Sequence, residues 1–101
     1  MRSSLVDIPR MPGSSGVRVE VTSHFQRAFE KLPVDLQKLT VQRIAIFAAN
    51  PFDSRLRTHK LKGHLKTFWS FSVTGAYRVL TTFPQPSVAL LHDVGTHDIY
   101  R

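Results

Sequence analysis

The sequence predicts an α+β domain of order β-α-α-β-β-β, an antiparallel sheet with two helices packed on one face. Three observations predict it. Apolar residues recur at helical spacing between Phe25 and Ala48. Alternation with a period of two takes over from residue 67 onward. Turn-forming residues separate the segments, at Asn50-Pro51, Thr74-Gly75 and Pro84 to Pro86. Helices gathered early and followed by a strand meander pack most simply on one face of the sheet. The chain has 101 residues, 42% of them hydrophobic, enough for one domain with its own core and too few for two.

Residues 1–16, MRSSLVDIPRMPGSSG, are rich in Ser, Pro and Gly without periodicity and read as a flexible N-terminal extension. The domain is expected over 17–101. Val17, Val19 and Val21 alternate with Arg18 and Glu20, the period of a half-buried strand. Ser23 offers a helix cap, with Gln26 completing a capping box. Phe25, Ala28, Phe29 and Leu32 then mark one face of a short helix. Pro33 opens a second helix as a first-turn residue, and Asn50-Pro51 stops it. Leu36, Leu39, Ile44, Phe47 and Ala48 form its apolar side; Lys38, Gln42 and Arg43 are its wet positions. A loop spans 52–66. Strands follow at 67–73, 76–83 and 87–95, the first two joined by a two-residue turn at Thr74-Gly75. The sheet face away from the helices is left open for a shallow polar site.

Charge narrows the partner. The formal net charge is +7, and five of fourteen cations lie between Arg55 and Lys66 with no acid among them: Arg55, Arg57, Lys60, Lys62 and Lys66. Such a domain takes a polyanion or an acidic protein as its partner. With no cysteine, disulfide scaffolds and thiolate metal sites are excluded. No apolar run approaches the ~20 residues that span a bilayer, and Asp7 and Pro9 interrupt any signal-peptide block. A soluble cytoplasmic protein is expected, with no membrane partner.

The residues that could carry chemistry are few. His59 and His64, and His92 and His97, stand five apart, which matches no zinc signature. Neither a Gly-rich phosphate loop nor a nucleophile elbow occurs. No metal or other cofactor is expected. Arg78 alternates with Tyr77 and Val79, so if those face the helices its guanidinium faces the open side. There it can fork a phosphate, or pair with a cross-strand acid such as Asp93. His97, Asp98 and Tyr100 follow the last strand in GTHDIYR. A histidine there is suited to moving protons on phosphate and sugar oxygens; the same segment also reads as a frayed terminus. Trp69 reads as core, by its alternation with Phe71 and Val73, or as a stacking surface for a base.

Together FQRAFEKLP, NPFDSRLRTHKLKG, FWSFSVTGAYRVL and VGTHDIY resemble the RelE/ParE superfamily of toxins from type II toxin–antitoxin systems, over about 17–101. The resemblance implies a ribosome-dependent mRNA endonuclease. It would work in the ribosomal A site without a metal, by attack of the RNA 2′-hydroxyl on the adjacent phosphate. A cognate antitoxin would bind it as a hetero-oligomer. Residue by residue, Arg78 matches the arginine that stabilises the scissile phosphate. His97 matches a histidine of the YafQ branch, and Tyr100 the aromatic that orients substrate. His59, Lys60 and Lys62 fall in the basic loop, with Arg57 and Lys66 as further RNA contacts, and His64 stands where a loop histidine serves as a second proton carrier. The glutamate base of the YoeB branch is missing; the nearest loop acid is Asp53. The same resemblance keeps open a ParE-like inhibitor of DNA gyrase and a non-catalytic nucleic-acid-binding or degenerate toxin.

Overall fold

The computed structural model describes residues 16–100. The extension expected at the N-terminus lies outside the described residues, apart from Gly16. The elements are β1 (Arg18–Val21), α1 (Ser23–Glu30), α2 (Val34–Ala49), β2 (His59–Lys60), β3 (Trp69–Ser72), β4 (Arg78–Gln85) and β5 (Val88–Gly95). Three 3-10 turns are interspersed, at Ser54–Leu56, Gly63–Leu65 and His97–Tyr100. The sheet order is β1-β5-β4-β3-β2. The α+β class holds, with two differences from the expectation.

First, the sheet is mixed: β1 runs parallel to β5, and the other pairs are antiparallel. Val21 pairs with Leu91, and α1 then packs along the remainder of β5. Periodicity carries no information on strand direction, so this pairing is set by the helices that return the chain. Second, the basic loop contains a two-residue edge strand, β2, paired with Ser70 and Trp69.

The core forms between the helices and one face of the sheet. Phe25, Ile44 and Phe47 from the helices meet Phe71, Val79 and Leu91 from the strands, all 0–1% exposed. Phe47 stacks on Phe71 at 4.3 Å between ring centroids; burying one such side chain stabilises by roughly 1.5–3 kcal/mol. Trp69 lies at the margin of this face, half-buried, edge-on to Phe52 and Phe83. Within α2, buried Thr40 donates to the Leu36 carbonyl at 2.7 Å, so its hydroxyl enters the core satisfied.

Caps and turns shift by a residue or two. Thr22, not Ser23, caps α1, its hydroxyl accepting from Phe25 N–H at 3.0 Å; the third helical residue is then Phe25 and no capping box forms. Pro33 is the N-cap of α2 rather than its first residue, with ψ at 151°. β4 continues through Pro84 and turns at 86–87. Pro84 falls where the β4–β5 pairing is irregular, so its missing N–H costs no ladder bond.

The hairpin between β3 and β4 decides where the functional groups point. The expected two-residue turn at Thr74-Gly75 does not form, because such turns need positive φ and neither residue has it. Instead Val73 N–H donates to the Tyr77 carbonyl at 2.8 Å, and the Thr74 hydroxyl accepts from Ala76 N–H and Tyr77 N–H. The longer loop pairs Ser72 with Arg78 and Phe71 with Val79. Residues directly opposite share a face, so Arg78 joins Ser72 and Ser70 on the side away from the helices.

Candidate functional site

Three segments converge beside that hairpin. β3 and β4 contribute Ser72 and Arg78. The 3-10 turn at Ser54–Leu56 ends in Arg57, whose φ of 52° is left-handed. That conformation is uncommon for a residue with a Cβ, and it turns the chain into β2. His59 opens β2 opposite Ser70, so its side chain shares the Arg78 face. Arg43, Arg55, Arg57, His59, Ser72 and Arg78 line one cleft of about 410 Å³, together with hairpin residues 73–75.

The electrostatics of this cleft are lopsided. Arg55 is neutralised by Asp53, which holds its guanidinium through two bonds of 2.9 Å and also accepts from Arg55 N–H at 3.0 Å. Among the described residues, Arg43, Arg57 and Arg78 have no carboxylate within ion-pair distance. Arg78 makes one long bond, from Nη2 to the Gly75 carbonyl at 3.4 Å. The Nε atoms of Arg43 and Arg78 are buried without a partner. Asp93, the cross-strand acid considered for Arg78, instead meets His24 Nε2 at 3.2 Å. Arginines without a paired carboxylate along one cleft offer forked donors suited to an anion.

Asp53 is ill-suited to the role of base. The hydrogen bonds from Arg55 pull its carboxyl down to about 2, with the Arg43 charge adding a smaller effect. A base that weak rarely holds a proton near neutrality. Its effect belongs to stability: the carboxyl binds protons less readily in the folded chain than in the unfolded one. Its contribution is therefore complete above the usual value of 3.8 and vanishes as pH falls through about 2. Asp53→Asn should melt below the wild type at pH 5, and the gap should close toward pH 2. A gap that stays constant in thermal melts across that range would contradict this.

His59 is better placed. Its Nδ1 lies 3.0 Å from the Arg57 carbonyl. A carbonyl only accepts, so Nδ1 is the donor, and in the neutral form of the ring Nε2 keeps a lone pair. Lys60, one residue on, is opposite Trp69 and belongs to the helix-covered face. Lys62, His64 and Lys66 are exposed in and around the Gly63–Leu65 turn and do not line the cleft.

The C-terminal turn His97–Tyr100 returns over the Arg78 side of the sheet. Tyr100 Oη is 2.7 Å from Ser70 Oγ, and Ser70 is fully buried. Gly95 permits the return: a Cβ there would stand 2.9 Å from Ile99 Cγ2. His97 is exposed and rests edge-on against the Tyr100 ring at 5.7 Å. Ser70 thus links the two groups of candidates, with His59 opposite it in register and Tyr100 bonded to its hydroxyl.

One cleft residue, Arg43, escaped the sequence reading, and His92 entered it only as half of a possible metal pair. Arg43 looks like an ordinary wet helix position, and only the tertiary fold brings it to the cleft. His92 lies on the same sheet as the candidates, its Nε2 2.8 Å from Thr82 Oγ1 and its ring edge-on to Phe68; burial lowers its pKa. Among the described residues, no three His, Asp or Glu side chains gather as metal ligands would, and no helix is long and apolar enough to cross a membrane.

No protein-family model and no curated protein sequence matches the chain. Solved structures do. A YoeB/ParE toxin from Agrobacterium tumefaciens superposes with a TM-score of 0.68 at 15% identity, covering 80% of this chain and 99% of that one. YafQ from E. coli strain BL21(DE3) gives 0.61 at 12% identity, over 83% and 97%. A chain of an archaeal RelE–RelB complex from Pyrococcus horikoshii OT3 gives 0.63 at 17% identity, over 80% and 94%.

Proposed function

From a chain that has the RelE/ParE toxin fold, we propose a toxin of a type II toxin–antitoxin system that cuts mRNA on the ribosome by transfer of the phosphate to the neighbouring 2′-oxygen. One observation supports this reading above the others. Arg78, Arg57 and His59 share a cleft without a free carboxylate, and His97, outside its lining, packs on Tyr100, whose hydroxyl reaches Ser70 on the Arg78 face. In this reading the Nε2 of His59 takes the proton of the 2′-hydroxyl. The 2′-oxygen bonds to phosphorus, the bond from phosphorus to the 5′-oxygen breaks, and His97 gives that oxygen a proton. Arg78 meets the extra negative charge of the pentavalent state with two parallel N–H bonds. Tyr100, its hydroxyl engaged by Ser70, holds the last turn in place. Lys60, Lys62 and Lys66 act by charge on RNA outside the cleft, where His64 can only add a hydrogen bond.

The net charge of +7 supports an acidic partner, and the Pyrococcus neighbour's description as a RelE–RelB complex supports a cognate antitoxin as that partner. The chain would work in the cytoplasm, where the ribosomes are. The test is a translating extract read by primer extension, beside a gyrase supercoiling assay. Cuts are expected in translated message and not in free RNA, with supercoiling unaffected. Blocked supercoiling with intact message would point to a gyrase inhibitor. RNA binding with neither effect would point to a non-catalytic module.

A further inference from the structure

The cleft is wider than a single phosphate needs, and one of its cations arrives from an unexpected direction. Arg78 and Ser72 belong to the face away from the helices, whereas Arg43 is carried by α2, which packs on the other face. They meet because the edge of β3 is only partly covered. β2 pairs with Ser70 and Trp69 and no further, since the left-handed Arg57 ends it on that side. The opening beside Ser72 lets the Arg43 side chain reach the rim of the Arg78 face. Arg43 is half-buried, and its Nε is sealed from solvent without a partner.

Three guanidinium groups without a carboxylate at ion-pair distance repel one another, and an anion relieves that repulsion. Their planar forks suit phosphate oxygens. At about 410 Å³ the cleft falls among small-ligand sites of ~300–1,000 Å³, room for a nucleotide rather than a bare ion. We propose that Arg43, with Arg57, forms a second phosphate subsite that holds the RNA backbone one nucleotide away from the phosphate gripped by Arg78. The strand then leaves the open face across the edge of β3 toward α2. The proposal rests on the nuclease reading for the identity of its ligand, and it makes Arg43 a positioning residue.

A non-cleavable 2′-O-methyl oligoribonucleotide separates the two ideas, because its binding needs no chemistry. Its affinity is measured over a range of salt concentrations for the wild type, Arg43→Gln, Arg43→Lys and Arg27→Gln. The last removes the same charge from α1, away from the cleft. Arg43→Gln should weaken binding about tenfold at low salt. Its plot of log affinity against log salt should be shallower by about 0.7, the loss of one single-strand phosphate contact. Arg43→Lys should recover the slope but not the full affinity, since a point charge replaces the fork. Arg27→Gln should stay within about twofold of wild type. Arg43→Gln binding as tightly as Arg27→Gln, or a wild type that does not bind the probe, overturns the subsite. If Arg43→Gln melts early, Arg43→Lys carries the comparison, and wild-type affinity in that variant overturns it equally. Should the wild type leave translated message intact while Arg43→Gln still loses affinity and slope, the subsite stands and the nuclease reading falls. Cleavage by a wild type whose Arg43 and Arg27 variants bind alike gives the reverse.

Discussion

On the nuclease reading, Arg78→Ala should lose about 10²–10³-fold of the RNA-cleaving rate and melt no lower than the wild type. The two halves of that expectation have one cause. Arg78 is half-buried, yet its Nε has no partner and its one side-chain hydrogen bond among the described residues is the 3.4 Å contact to Gly75. A buried donor without a partner lowers stability, so removing it relieves a cost. The charge also stands in a cleft with Arg43 and Arg57 and no free carboxylate. Folding gains nothing evident from Arg78; an anionic transition state gains a fork of two donors. A residue kept at the expense of stability is what a strained functional site predicts. Arg78→Lys keeps the charge without the fork and should fall between the two. Growth arrest on expression, primer extension and a thermal melt together check this. Full cleavage by Arg78→Ala would remove the phosphate-gripping role, and a steep loss of melting temperature would make the residue structural.

How much of this was legible in the sequence depends on what each feature requires. The helices were legible because a 3.6-residue period is local: Phe25, Ala28 and Phe29 mark α1 without reference to any other element. The side on which Arg78 projects was legible only conditionally. Alternation says that Arg78 opposes Val79, but the hairpin register says which face that is, and a two-residue turn would have paired Arg78 with Phe71. The Thr74 hydroxyl, by capping a longer loop, places Ser72 opposite Arg78 instead. A slip of one residue flips every side chain of a strand, so a single threonine decides whether the guanidinium faces the helices.

The site itself was partly legible. The cations between Arg55 and Lys66 form a single run in the sequence, but the fold divides them. Arg57 and His59 enter the cleft, Arg55 enters it already paired with Asp53, and Lys60 turns to the Trp69 side. That division follows from β2, two residues long and too short to show a period. Arg43 gave no signal at all, since an exposed-looking arginine on an amphipathic helix is the ordinary case. His59 rather than His64 becomes the candidate base through one hydrogen bond, from Nδ1 to the Arg57 carbonyl, which depends on a left-handed residue that sequence patterns do not reveal.

His97→Ala is expected to lower cleavage by about 10²–10⁴-fold, the range for a positioned proton-transfer group, and to leave the fold untouched. His97 is exposed, and its ring rests on the edge of Tyr100 at 5.7 Å. Its removal strands no buried group. Tyr100→Phe makes the informative contrast. It takes the partner from Ser70, whose hydroxyl is fully buried, and a buried polar group so stranded costs roughly 1–3 kcal/mol. That variant should melt lower and cut less well, because the last turn loses its tether and His97 its fixed position. The two substitutions therefore separate chemistry from placement: one reduces cleavage at constant stability, and the other reduces both. Excess 2′,3′-cyclic-ended product is expected from neither, since both slow the step that forms it. If His97→Ala cuts translated message at the wild-type rate, the last turn is a structural strap and the proton must reach the 5′-oxygen by another route. If it melts well below the wild type, the edge contact with Tyr100 contributes to the fold, and the loss of cleavage no longer identifies an acid.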